Sequence, residues 1–259
     1  MGTDRYAYQS RLRRVSPLPK LVLAAVALVV CLCCDSIWVG LATVLAMGVL
    51  ITALGGLPVK VYLHFLKVPL AFLVIGGITI LIHSYPSGTA VVAALPVGKR
   101  LWGFTAGDLY QAARLFCKAL GAVGCMYFLS LNTPITDLTM ALERLHVPKL
   151  LVELMELIYR FIFVLAETAS NIRLAQESRL GYQGFRRSVN SLGALSSMVF
   201  LRAWRKAQNI YTALEARGYT GSLTTLAGDY TPGLWLLPLT AGVAGVQLLV
   251  LYLERMAVG

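Results

Sequence analysis

The sequence predicts an all-α polytopic membrane protein with about five transmembrane helices and a cytoplasmic domain of one short and two long helices. Three observations lead there. The 259 residues are 58% hydrophobic and 14% charged, too apolar for a soluble domain of ordinary composition. Five stretches, roughly 18–34, 37–55, 61–82, 108–131 and 233–253, approach the 20 or so apolar residues that a membrane span needs. Lysine and arginine, finally, fall unevenly between the segments that join them.

Taken in order, the first two spans are joined by a short "CDSI" turn. Arg11, Arg13 and Arg14 before the first span resemble a signal peptide, but four further spans follow and no small-x-small cleavage pattern ends the run. Lys67, Arg114 and Lys118 lie inside or near the ends of their segments, where long stems carry the charge to the interface. The N-terminal stretch holds Arg5, Arg11, Arg13, Arg14 and Lys20, and residues 132–232 hold eleven more cations, whereas the loop around 83–107 has Lys99 and Arg100. Positive charge marks the cytoplasmic side. The N-terminus and the late segment therefore face the cytoplasm, and five spans leave the C-terminus outside. The net charge of +11 is this topology signal; no basic patch stands apart from the membrane flanks, so a nucleic-acid role is not indicated. On this reading residues 1–131 form an N-terminal arm and four spans, 132–230 a cytoplasmic domain, and 231–259 the last span.

The late segment is helical in pattern. Thr133 is placed to cap a short helix with Pro134 at its first position and Asp137 in its first turn, and Leu138, Leu142 and Leu145 give it an apolar face. Pro148 ends it. A long helix runs from about Lys149 to Leu180, its charges Glu153, Glu156, Arg160 and Glu167 confined to one stripe. Its apolar remainder predicts burial under the bundle or in the inner leaflet. A continuous span over 149–166 is the alternative, and would reverse the last topology assignment. Glu156 and Arg160 are i,i+4 partners and expected to form a structural pair, with proton or ion relay by these charges as the sharper reading. After a "YQGF" turn, a second long helix runs from about Arg186 to Arg217. Thirty residues of helix reach ~45 Å.

Several chemistries lack their residues. Cys31, Cys33, Cys34, Cys117 and Cys125 form no CxxC pair. His64, His83 and His146 stand in separate segments, without metal-ligand spacing. No G-x-x-x-x-G-K-[ST] occurs, so ATP is not bound through a P-loop. No catalytic residue, bound cofactor or metal site is expected in this chain.

The two long helices end alike. "AQESRLGY" from Ala175 and "ALEARGY" from Ala213 share Asn171/Asn209, Ile172/Ile210, Ala175/Ala213, Glu177/Glu215 and Arg179/Arg217, all 38 residues apart. After the arginine the first copy carries an extra Leu180, and Gly181-Tyr182-x-Gly184 then matches Gly218-Tyr219-x-Gly221. Arginine in a last turn and glycine beyond it are ordinary helix endings. Capping does not require the surrounding residues twice. A duplicated tip suggests a duplicated acceptor, with small Ser178 or Ala216 permitting close entry and the guanidinium free to fork onto a carboxylate.

With "DRYAY" at 4–8, "PLPKL" at 17–21, "VPKLLVELMELIYRFIFVLAE" at 147–167 and both tips, the chain resembles the transmembrane scaffold, or T component, of energy-coupling factor transporters, and within them the CbiQ family of cobalt and nickel uptake systems. The resemblance implies that residues 132–230 are a coupling domain in the bacterial inner membrane system. Ser178, Arg179 and Gly181, and then Ala216, Arg217 and Gly218, would each dock on one subunit of a CbiO-like ATPase pair. It also implies that ATP sits on that ATPase and the metal ion on a CbiM-like S component, with a CbiN-like small subunit as a further candidate partner. A free-standing secondary transporter, and a scaffold serving a vitamin-type substrate, are the alternatives.

Overall fold

The computed structural model describes residues 2–81, 83–86, 93–97, 100–219 and 230–258. It divides into two compact units, Met1–Leu138 with Asp229–Gly259, and Thr139–Gly228. The first unit contains α1 (Gly2–Gln9), a 3-10 turn (Arg11–Arg14), α2 (Pro17–Cys33), α3 (Ile37–Val49) with a π-helical continuation at Leu50–Leu54, α4 (Val59–Leu81), α5 (Ala106–Asn132) and α9 (Leu236–Val258). α6 (Ile135–Arg144) begins in it and ends in the second unit, which holds α7 (Lys149–Ser178) and α8 (Phe185–Ala216).

The protein is an all-α polytopic membrane protein. Among the described residues, four helical segments are long and apolar enough to cross a bilayer: Ile37–Leu54, Val59–Thr79, Gly107–Asn132 and Leu236–Met256. The fifth expected span, Pro17–Cys33, is apolar but shorter; its 17 residues rise ~25 Å, at the lower limit of a span. α7 is not among the four, its apolar surface being interrupted by Glu153, Glu156, Arg160 and Glu167. Part of the expected 83–107 loop is a small antiparallel sheet of β1 (His83–Pro86), β2 (Ala93–Val97) and β3 (Arg100–Phe104), in the order β1-β3-β2. Pro86 and Pro96 lie on its two edge strands, where a missing N–H is tolerated.

The core of the membrane unit gathers Leu23, Met47, Ile51, Phe128, Leu131 and Leu236 around α2, α3, α5 and α9. α3 and α5 approach closely because they meet at glycine: a Cβ on Gly40 would stand 2.6 Å from the backbone of Cys117, and one on Gly121 3.1 Å from Gly40 O.

Several polar groups inside this unit find their partners within it, as a lipid solvent requires. Pro69 lies within α4 and cannot donate to the carbonyl of Phe65, four residues back. The Tyr127 hydroxyl on α5 donates to that carbonyl instead, at 3.0 Å. Gln247 Nε2 donates to Ala27 O (3.2 Å) and Thr43 Oγ1 (2.8 Å), joining α9 to α2 and α3.

Lys20, counted among the cations that mark the N-terminal stretch as cytoplasmic, is completely buried. Its ammonium donates to Leu12 O at 3.1 Å and Asn132 O at 3.3 Å. Ser10 Oγ donates to Asn132 Oδ1 at 2.7 Å, and Arg11 N–H to Gly55 O at 3.1 Å. The N-terminal arm is thereby fastened to the ends of α3 and α5. Lys118, expected to snorkel, pairs with Asp35 at 2.8 Å.

Thr133 does not cap α6 as expected. It closes α5, and its buried hydroxyl has no hydrogen-bond partner among the described residues. Asp137 accepts from Tyr230 Oη at 2.9 Å. Burial first, and then this carboxylate, push the Tyr230 hydroxyl up to about 12.

Candidate partner-docking site

Helix α7 gives way at Arg179, with φ −98° and ψ 16°, and α8 at Arg217, with φ −95° and ψ 9°. The next residue is left-handed in both cases: Leu180 at φ 57° and Gly218 at φ 74°. The amides of Leu180 and Gly218 donate to Glu177 O and Glu215 O, each at 3.0 Å. Those of Gly181 and Tyr219 donate to Gln176 O at 2.9 Å and Leu214 O at 3.0 Å. Both ends are thus Schellman caps, with the carbonyls of the last turn satisfied by the same backbone bonds.

Every one of these pairs is 38 residues apart, which corrects the expected insertion. Leu180 is no extra residue; it stands where Gly218 stands, and Gly181 stands opposite Tyr219. Matching letters aligned glycine with glycine, whereas the backbone aligns by conformation. The left-handed cap expected of Gly181 belongs to Leu180, whose Cβ makes that conformation costly by roughly 1–2 kcal/mol. Gly181 is required for another reason. A Cβ there would lie 2.8 Å from Ser191 Oγ and 2.9 Å from Gln176 O. Gly221, the end of the expected match, lies outside the described residues.

Both tip arginines are exposed. The glutamate two residues earlier is occupied elsewhere in each copy. Arg173 Nε donates to Glu177 at 2.8 Å, and the Tyr211 hydroxyl donates to Glu215, which raises the tyrosine's pKa. Positions 173 and 211 repeat the same spacing. The ion pairs among the described residues are Asp35–Lys118 and Arg173–Glu177, so neither Arg179 nor Arg217 has a carboxylate of its own within that set. Ser178 turns its hydroxyl back to Leu174 O at 2.9 Å, leaving it as compact beside Arg179 as Ala216 is beside Arg217.

The hairpin of α7 and α8 is tied at both ends. At the elbow, Gln176 Nε2 donates to Ser191 O at 3.0 Å, Tyr182 Oη to Gln176 Oε1 at 2.8 Å, and Ser191 Oγ to Gly181 O at 2.7 Å. At the open end, Tyr219 Oη donates to Glu153 Oε2 at 3.1 Å. Glu153 is buried, with 8% of its surface exposed. Between the ties the helices part around an apolar groove of about 910 Å³, lined by Leu157, Phe161, Leu165, Trp204, Tyr211 and Leu214 among others. The 32 residues of α8 separate the two arginines by ~48 Å along its axis. Leu154, Ile158, Ile162 and Phe163 on α7 remain substantially exposed.

The expected Glu156–Arg160 pair does not form. Glu156 Oε1 accepts from Thr139 Oγ1 at 3.1 Å, and no ion pair joins it to Arg160. A hydroxyl on α6 takes the carboxylate that helical spacing assigned to the arginine. Sequence reasoning also missed Leu180 as a residue of interest. Its signal was available, since the 38-residue spacing runs on through Leu180 and Gly218 without a gap.

Comparison with known proteins agrees with this architecture. Residues 9–226 match the family model for CbiQ, a cobalt transport protein. The Salmonella typhimurium cobalt transport protein CbiQ is 29% identical, over 85% of this chain and 97% of that protein. A putative fused cobalt transport protein CbiMQ of Methanocorpusculum labreanum is 31% identical over 88% of this chain, which corresponds to 38% of the fusion. The energy-coupling factor transporter transmembrane protein EcfT of Bacillus selenitireducens is 28% identical, over 68% of this chain and 69% of its own. A helical membrane unit, a hairpin with twin arginine tips and a family match across most of the chain converge: the chain belongs to the CbiQ family, the T components of energy-coupling factor transporters.

Proposed function

We propose that this chain is the coupling scaffold of an ATP-driven cobalt importer, with Arg179 and Arg217 each docking on one subunit of a CbiO-like ATPase pair. The single observation that carries the reading is the gapless repeat of the two tips, down to their backbone hydrogen bonds and to guanidiniums without an ion pair among the described residues. Two equal prongs call for two equal sockets. Arginine suits a socket built around carboxylates or carbonyls, because its planar fork donates in parallel where lysine offers a point charge.

On this reading the N-terminus and the hairpin face the cytoplasm of a bacterial inner membrane, following the arginine and lysine bias. ATP belongs to the ATPase subunits, and the cobalt ion to a CbiM-like S component. Such a partner is supported by the fused relative, whose name joins CbiM to CbiQ in one polypeptide. The chain itself catalyses no reaction. Closure of the ATPase pair on nucleotide shifts the tips, and the helices transmit that displacement to the membrane subunits.

The test is ATP-dependent cobalt uptake by the reconstituted complex, with co-purification of the ATPase as a second readout. The Arg179→Glu/Arg217→Glu variant is expected to insert normally into the membrane, to lose the ATPase and to lose uptake. Normal uptake by this variant overturns the proposal.

A further inference from the structure

From the unequal capping residues of the two tips we infer that Leu180 is an apolar docking anchor, inserted beside Arg179 into the ATPase subunit that receives the first tip. The second tip docks through Arg217 without such an anchor. This rests on the coupling reading above and adds to it: the two contacts are chemically different, even where the two ATPase subunits are identical.

The argument starts from the backbone. Leu180 holds φ at 57°, a region that leucine avoids, and its counterpart Gly218 occupies the same place at φ 74° without penalty. Both positions form the same Schellman bonds, so the cap itself requires no leucine. Nor does the fold of the chain use the side chain well, because Leu180 is 57% exposed. A residue that strains the backbone and leaves an apolar side chain in water has a role outside the folded chain.

The neighbouring residues define the partner's surface. Ser178 is folded back onto its own helix, Gly181 has no side chain, and Arg179 is exposed without an ion-pair partner among the described residues. The tip therefore presents one cation and one adjacent aliphatic group. It fits a socket with an acidic or carbonyl-lined wall next to an apolar pocket. The elbow bonds among Gln176, Tyr182, Ser191 and Gly181 hold the backbone on either side of that pair of residues. Rigid presentation lowers the ordering cost of docking. At the second tip the equivalent of the anchor is a glycine, and the following Tyr219 is turned inward to Glu153.

The experiment measures retention of the co-expressed CbiO-like ATPase by the full-length chain in detergent, together with the melting temperature of the chain. Leu180→Gly relieves the backbone, so its melting temperature is expected to equal or exceed that of the wild type. Its ATPase affinity is expected to fall about tenfold, as when a buried leucine side chain leaves an interface. Leu180→Met is expected to restore affinity and Leu180→Ser to lose it. Unchanged affinity of Leu180→Gly overturns the inference, and so does a fall in both affinity and melting temperature, which would make Leu180 a support of the fold. Arg179→Glu/Arg217→Glu separates the two levels. Retention of the ATPase by that variant sinks the coupling reading itself, whereas its loss together with normal binding by Leu180→Gly sinks the anchor alone.

Discussion

The membrane unit and the α7–α8 hairpin spend their charges in opposite ways. In the membrane unit a lysine is wholly buried and bound to two carbonyls, a glutamine bridges three helices, and a tyrosine serves the carbonyl orphaned by Pro69. In the hairpin the two tip arginines are exposed and unpaired among the described residues, while the glutamates beside them are taken by other donors. The difference separates two kinds of polar residue. Those satisfied inside the chain hold it together; those left over at its extremities are free for a partner.

Substitutions can break or sharpen that contrast. The largest loss of stability is expected from Lys20→Ala, which takes the ammonium from Asn132 O and leaves Leu12 O with the Val15 N–H alone. One orphaned buried carbonyl costs about 2 kcal/mol, read as a fall in melting temperature of the detergent-solubilised chain. The contrast predicts the converse for Arg179→Glu/Arg217→Glu: no fall in melting temperature, and a loss of cobalt uptake of about a hundredfold, or ~2.7 kcal/mol of coupling. Gly218→Ala puts a Cβ on a left-handed residue and is expected to cost about 1 kcal/mol, seen as earlier melting or faster proteolysis of the hairpin. Tyr127→Phe removes the hydroxyl that serves Phe65 O. It is expected to destabilise by ~1 kcal/mol, with faster amide exchange around residues 65–69. Smallest of all is Glu156→Gln. Its Thr139 bond survives as a neutral one, so a change within about 0.5 kcal/mol is expected, and a strong uptake defect there would favour ion relay instead.

How much of this was legible in the sequence depends on the range of the interaction. The apolar segments, the helix limits near Lys149 and Arg217 and the matching arginines follow from local composition and spacing, and the helices form where those signals place them. Lys20 did not read as buried, because its acceptors come from residues 12 and 132 and no local pattern joins them. Pro69 was visible, but not the tyrosine that compensates for it from another helix. The i,i+4 rule assigned Glu156 to Arg160, and a tertiary hydroxyl displaced it. At the first tip the error was different in kind. Residue identity suggested that glycine must be the left-handed one, and the chain uses leucine there.

One consequence of the twice-tied hairpin concerns length. Because Tyr219 is fastened to Glu153 and Gln176 to Ser191, the two prongs cannot slide past each other without snapping a tie, and α8 holds their spacing like a fixed calliper. On the coupling proposed above, sockets that draw together would have to tilt or bow this calliper as one piece, so a stroke of the ATPase pair would reach the membrane subunits as rotation and not as a simple pinch.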